Sequence, residues 1–482
     1  MLSADGGSFR DPSGRVYLVG DGTGRRRVVR GLTATTAGTV DRLLAAPFFR
    51  RMLADGDVAD TRVLCPDDPL AAAVRDRGWA SVLEHEAVDF PTWPYEWPFA
   101  MLKDAALLQL RLLETCVRAG WIQKDATPFN IQWVGSRPIF IDIPSFVPRE
   151  DGEYWQGYRQ FCSMFLIPLM LTAHLCIPFQ PLLRSSLEGI PAEAATRYFR
   201  GRQRFRRGVL SHVWFPSRVE GWMRRRDGAR RSPGSRRRQP ETALLALLDG
   251  LARLVKGLSY RHATPSDWSR YPETHSYSES DLERKMAFVE KHASARRPHL
   301  LWDLGANTGT FSRIAARHSG MVVAVDGDHE AADVLYREAR EGPLRNIVPL
   351  VMDLANPSPG QGWAGGERAA FVDRRSPDMA LCLALFHHLR VAANVPVALL
   401  IQWLRSFDAT VIVEFVARDD EMFAKLTENK REDYADYTRA NFRTEVDTHF
   451  RVEDSMELKE GKRELLLLAP KNTRRSRVPQ MP

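Results

Sequence analysis

At 482 residues the chain is too long for one ordinary core and predicts two or three domains, and its 44% hydrophobic and 27% charged content is that of a globular protein. A formal charge of +8 invites a nucleic-acid reading, but RRRDGARRSPGSRRR at 224 to 238 carries eight arginines against one aspartate, so the remainder is near neutral. Five cysteines without any CxxC spacing exclude a zinc site and a disulfide framework, imply no metal, and suit a reducing compartment.

The opening MLSADGGSFRDPSGR lacks an apolar signal-type run, so a cytoplasmic location is expected. In DAALLQLRLLETCVRAG, Ala106, Leu110, Leu113 and Val117 recur at helical spacing, and Gly120 is placed to stop the helix. A loop with Asp125 and Asn130 follows, then two short strands, NIQWV and PIFID, joined at GSRP and ending in Asp142. The helix, an Asp, an Asn five positions on, a hairpin and a second Asp twelve positions later form an order that resembles protein kinases and aminoglycoside-type phosphotransferases. The resemblance reaches upstream to RVYLVGDGTGRRRVVRG at 15 to 31, similar to the first hairpin of the phosphotransferase branch, with Arg30 where that fold has a phosphate-binding Lys. It implies an α+β kinase-like domain over 1–265, with Asp125 as base, Asn130 and Asp142 as magnesium ligands, and Mg-ATP as cofactor.

Three departures stand against these matches. Gln123 replaces the catalytic-loop His, IPSF follows Asp142 in place of FG or FE, and Arg30 replaces the Lys. Together they favour a degenerate site that binds substrate or nucleotide, or serves as a scaffold, over an active kinase. That Asp125 and Asn130 only cap a turn also remains open.

Further along, MFLIPLMLTAHLCIPF at 164 to 179 is short and interrupted by Pro168, His174 and Pro178, so it reads as buried core and no membrane insertion is expected. The Arg-rich stretch at 224 to 238 contains Gly and Pro and reads as a solvated loop; a patch for nucleic acid or an anionic surface is the lesser reading. SYRHATPSDWSRYPET loses apolar periodicity and reads as a connector, after which Ser278 and Asp281 form a capping box and Leu282, Met286 and Val289 line one helix face.

Beyond that helix, strand-type runs alternate with helical stretches: HLLWD, MVVAVD, IVPLVMD, DMALCLAL, TVIVEFV and RELLLLA. Such alternation predicts an α/β domain with a mainly parallel sheet. In LLWDLGANTGTF, Asp303 precedes a turn built from Gly305, Ala306, Asn307 and Gly309 that feeds a helix. Asp326 closes the second strand, where a ribose diol needs a bidentate acceptor, and Asp353 closes the third.

These residues are similar to class I S-adenosylmethionine-dependent methyltransferases over about 275 to 470. The resemblance implies a Rossmann-like seven-stranded sheet. It also implies S-adenosyl-L-methionine as cofactor, with Asp303 and the 305–309 turn at its methionine part, Asp326 at its ribose and Asp353 at its adenine. Asn307 stands where the family has glycine, and Asn tolerates a left-handed backbone. NAD is the rival cofactor, but an acid before the turn does not fit GxGxxG.

After the fourth strand, LALFHHL offers His387 or His388 as a general base, or as plain packing beside the cofactor. Glu414 is either a substrate contact or a strand-end acid facing solvent, and Tyr434, Tyr437 and Phe442 either wall the acceptor pocket or pack a helix. No NPPY or DPPY follows the fourth strand, so an exocyclic base amine is not the indicated acceptor. A small molecule or glycan is expected, recognised or regulated through the kinase-like domain. The alternatives are a bifunctional phosphotransferase/methyltransferase and an RNA-associated factor using the Arg-rich loop. The whole is similar to bacterial methyltransferases associated with nodulation and secondary metabolism. The tail from 471 is expected to be disordered.

Overall fold

The structure, a computed structural model, describes residues 2–20, 26–218, 238–260 and 277–471. Nearly all of the Arg-rich stretch 224–238, most of the connector and all but the first residue of the 471–482 tail lie outside the described residues. The chain divides into two compact units. The first comprises Met1–Trp133, Pro138–Ala263 and Gly360–Arg368, and the second Val134–Arg137, Thr264–Pro359 and Ala369–Pro482. Neither is contiguous in sequence.

The first unit opens with β1 (Leu2–Ala4), β2 (Gly14–Gly20), β3 (Arg26–Leu32), β4 (Thr61–Val63) and β5 (Ser81–His85), an antiparallel sheet in the order β1-β2-β3-β5-β4. Alternation along β2 and β3 turns Tyr17 and Val29 inward onto Leu64, Ala71, Val74 and Val82. The helix Phe99–Arg118 follows, with Ala106, Leu110, Leu113 and Val117 all buried, and the chain turns at Gly120, whose φ of +75° suits glycine. Then come β6 (Trp121–Gln123), β7 (Ile131–Val134), β8 (Arg137–Phe140) and β9 (Phe146–Pro148), with β6 paired to β9 and β7 to β8.

The apolar run at 164 to 179 is core. Met164 to Leu171 are buried, and Pro168, which has no N–H to return to the preceding turn, follows a π-helical turn at Cys162–Leu166. No helix among the described residues is long and apolar enough to cross a membrane.

The second unit begins with the helix Glu279–Arg296, whose cap Ser278 accepts the Asp281 amide at 3.1 Å. Its seven strands are β10 (Leu300–Leu304), β11 (Met321–Asp326), β12 (Ile347–Val351), β13 (Met379–Cys382), β14 (Thr410–Val416), β15 (Phe450–Leu458) and β16 (Arg463–Pro470). They stand in the order β12-β11-β10-β13-β14-β16-β15. The first five run parallel, and β16 lies antiparallel between β14 and β15. Inward residues of β10, β11, β13, β14 and β16, such as Leu301, Val322, Leu381, Ile412 and Leu467, meet Phe288 and Val289 of the first helix in one core.

Candidate functional site

In a doubly wound sheet, ligands bind beyond the carboxyl ends of the parallel strands, where the strand order reverses. Leu304 pairs with Val325 on one side and Cys382 on the other, so the turn after β10 lies at that switch point between β11 and β13. Gly305 and Ala306 both donate to the Val325 carbonyl, at 2.8 and 3.0 Å. Asn307 has φ +49° and Gly309 +84°, so the turn takes the left-handed backbone expected of it. At Gly309 a Cβ would run into the Leu335 side chain, a second reason for glycine there. The helix Thr310–Ala316 starts at once and aims its first amides at the same edge.

The acids are tied to this turn. Asp303 is buried and accepts the Ser312 hydroxyl at 2.6 Å. Burial, opposed by that hydrogen bond, pushes its carboxyl up to about 6. Asp326 accepts the Asn307 amide at 2.7 Å through Oδ2 and the Asp328 amide at 2.8 Å through Oδ1, while burial raises its carboxyl. Each oxygen keeps a second acceptor site, which is what a ribose diol requires. Asp353 lies two residues past the end of β12, is exposed, and accepts the Ala355 amide at 2.9 Å.

At the same edge, the loop after β13 holds Ala384 at φ +50°, a strained conformation for a residue with a Cβ, and leads into the helix Phe386–Ala392. His387 is buried with Nδ1 unpartnered. Burial, then the charges of His388 and Arg463, hold it well below the usual imidazole range. His388 is half-buried, and burial with the Arg463 charge lowers it to about 4. Both rings are therefore neutral near pH 7, and the same lowering makes each a weaker base than an ordinary imidazole.

Glu414 differs from the solvent-facing acid that the strand-end position allowed: it is fully buried. It accepts the Tyr277 hydroxyl and Lys285 Nζ at 2.7 Å, with Arg463 Nη1 at 3.5 Å. Arg463 in turn forks onto Asp420 at 2.9 and 3.0 Å, and Lys459 adds a 3.2 Å contact. Burial would raise Glu414, yet the charges of Lys285 and Arg463 hold it below the usual carboxylate range. Lys285 Nζ also lies 4.7 Å from the ring centres of Tyr277 and Phe311. Sequence reasoning missed this cluster, although Lys285 lies three residues after Leu282 on the apolar helix face. Tyr437 and Phe442 stack on Phe415, and Tyr437 on Phe423, so these aromatics pack the helix Arg439–His449 against the sheet.

In the first unit, Arg30 on β3 meets Asp142 directly, Nη1 to Oδ1 at 2.5 Å. Asp125 keeps an exposed edge, but loss of water around its carboxyl, followed by the Asp142 charge, raises it. Asn130 is half-buried, and its carbonyl accepts the Ile141 amide at 2.9 Å. Gln123, buried where a kinase has His, accepts Gln109 Nε2 at 2.9 Å, and Gln160 accepts the Ala126 amide at 2.7 Å. Gln109, which also donates to the Asp125 carbonyl at 3.5 Å, and Gln160 thus hold the Asp125 loop. Among the described residues, no group of three or more His, Cys, Asp or Glu is arranged to hold a metal.

The strand order of the second unit and its glycine turn are those of a class I methyltransferase fold. Solved structures similar to part of the chain include the PH0226 protein of Pyrococcus horikoshii OT3, at 15% identity and TM-score 0.30 over 42% of this chain and 98% of that one. The N-methyltransferase NodS of Bradyrhizobium japonicum WM9 matches at 9% identity and TM-score 0.29, over 40% and 99%. The bifunctional kinase-methyltransferase WbdD matches at 18% identity and TM-score 0.28, over 40% of each. No family model matches. The nodulation protein NoeA of Rhizobium meliloti (strain 1021) is 32% identical over 447 residues, 92% of each chain. At that identity and coverage, the chain belongs to the family of the nodulation protein NoeA.

Proposed function

We propose that residues 275–470 transfer a methyl group from S-adenosyl-L-methionine to a small-molecule or glycan acceptor, with the N-terminal unit recognising the acceptor or regulating access to it. The carrying observation is the locked turn, in which Asp326 holds the Asn307 amide while Asp303 lies buried against Ser312 at the switch point of the sheet. When bound, the cofactor supplies an already activated sulfonium methyl, so the protein's task is chiefly positioning. Asp303 and the 305–309 turn would hold the methionine part, Asp326 the ribose and Asp353 the adenine end. His387, whose Nδ1 is unpartnered, would be the base toward the acceptor, a weak one because burial holds its imidazole well below the usual range.

Cofactor binding tests the assignment. By calorimetry, Asp303→Ala should weaken S-adenosylmethionine binding by at least about tenfold, the scale of one lost charge-assisted contact. Asp125→Ala should leave it unchanged. Equal affinity of wild type and Asp303→Ala would sink the site. A pH series adds a sign: an ionised Asp303 suits the methionine ammonium, so affinity should fall as pH drops through about 6. That step should vanish in Asp303→Asn.

A phosphotransferase activity in the first unit is the second reading, and the Arg30–Asp142 pair bears on it. A guanidinium already neutralises the carboxylate that would hold magnesium, so no Mg-dependent ATP binding is expected at millimolar nucleotide. Binding that disappears in Asp142→Ala would reverse this reading. An RNA-associated role rests on the Arg-rich stretch 224–238, and unchanged RNA affinity after its deletion would remove it.

A further inference from the structure

Between Arg197 and Arg218 the first unit carries seven arginines (197, 200, 202, 204, 206, 207 and 218), all exposed, and no Asp or Glu. The same 22 residues hold Tyr198, Phe205, Leu210 and Phe215, at 40%, 63%, 47% and 72% exposure, four of the ten large hydrophobic residues exposed among those described. Solvated charge runs do not ordinarily display such side chains, and clustered exposed apolar groups mark an interaction surface.

The segment is anchored from beneath. Phe199, Val209 and Val213 are buried, Trp214 Nε1 donates to the Phe199 carbonyl at 3.1 Å, and the Tyr158 hydroxyl meets His212 Nδ1 at 2.8 Å. With Val209 and Val213 turned inward, Leu210 and Phe215 are left on the outer side of the Leu210–Trp214 turn. A neighbouring cleft of about 370 Å³, lined by Arg207, Ser211, His212 and Arg253, gives room for an anionic group.

We infer that this face docks the protein onto an anionic phospholipid surface, with Phe205, Leu210 and Phe215 at the acyl boundary and the arginines among the head groups. Uninterrupted positive charge selects an anionic partner. The apolar side chains decide between anionic partners. Leu210 has no ring to stack on a base, and one face of Phe205 is already covered by the Arg204 guanidinium, 4.7 Å from the ring centre. Shallow burial beside basic residues is how interfacial segments bind, lying on the membrane without crossing it.

The test is co-sedimentation of the full chain with phosphatidylcholine vesicles, with and without phosphatidylglycerol. Binding should require phosphatidylglycerol and weaken with salt. The triple variant F205S/L210S/F215S should lower partitioning by at least about tenfold, the scale of three lost apolar anchors. These side chains are exposed, so the variant should unfold at the wild-type temperature, which separates lost docking from lost folding. Partitioning unchanged in the variant, equal binding to both vesicle types, or no vesicle binding beside poly-U binding lost in the variant would each overturn the proposal.

Discussion

Replacing Glu414 by glutamine should cost roughly 3–5 kcal/mol of stability, because it leaves buried positive charge without its counterion. Glu414 is fully buried and Lys285 2% exposed, so water cannot stand in for the lost carboxylate. Arg463 retains Asp420, which places most of the penalty on Lys285. At about 2–4 °C per kcal/mol for a unit of this size, the melting temperature of the second unit should fall by roughly 10 °C. The double variant K285M/E414L should recover much of the loss, since an apolar pair of similar volume carries no uncompensated charge. The pH dependence has a definite sign. Glu414 is held below the ordinary range in the fold, so its contribution is present above the unfolded value and lost as pH falls through the lower folded value. E414Q should lack that part of the acid destabilisation in urea titrations run at successive pH values.

The parallel strands were legible because each is a continuous apolar run, buried on both faces: MVVAVD coincides with β11, and TVIVEFV with β14. β15 was not among the runs read as strands. It lies at the sheet edge with mostly exposed or half-exposed residues, so FRVEDSMEL alternates without an apolar stretch. The turn at 305–309 was legible through its glycines and the acids around it. The buried cluster was not. Lys285 reads as a solvated helix residue until Glu414, 129 positions away, is brought beside it. Placement of Gly360–Arg368 in the first unit is equally non-local: Glu367 is buried against Arg10, and Arg368 lies 4.4 Å from the Phe129 ring centre, pairings no window of sequence contains. The basic-aromatic segment 197–218 was passed over for a different reason. Its arginines are spaced among apolar residues, so it lacks the density that drew notice to 224–238.

Asp326→Asn should weaken S-adenosylmethionine binding by about 100-fold, more than loss of one charge at a solvated position would cause. Both carboxylate oxygens face backbone donors, Oδ2 the Asn307 amide and Oδ1 the Asp328 amide. An asparagine amide offers one acceptor and one donor, so either orientation sets N–H against N–H. If the Asn307 side loses, the turn loosens at its left-handed residue. If the Asp328 side loses, the helix His329–Glu341 loses an anchor before its cap, since Asp328 itself accepts the Glu330 and Ala331 amides. On the proposed reading, the ribose diol would lose one of its two carboxylate acceptors in both cases. Asp326→Glu restores the acceptors but lengthens the arm, and should fall between wild type and Asp326→Asn. Calorimetric titration of the three proteins reads this order directly, and D326N binding within threefold of wild type would remove Asp326 from the cofactor site.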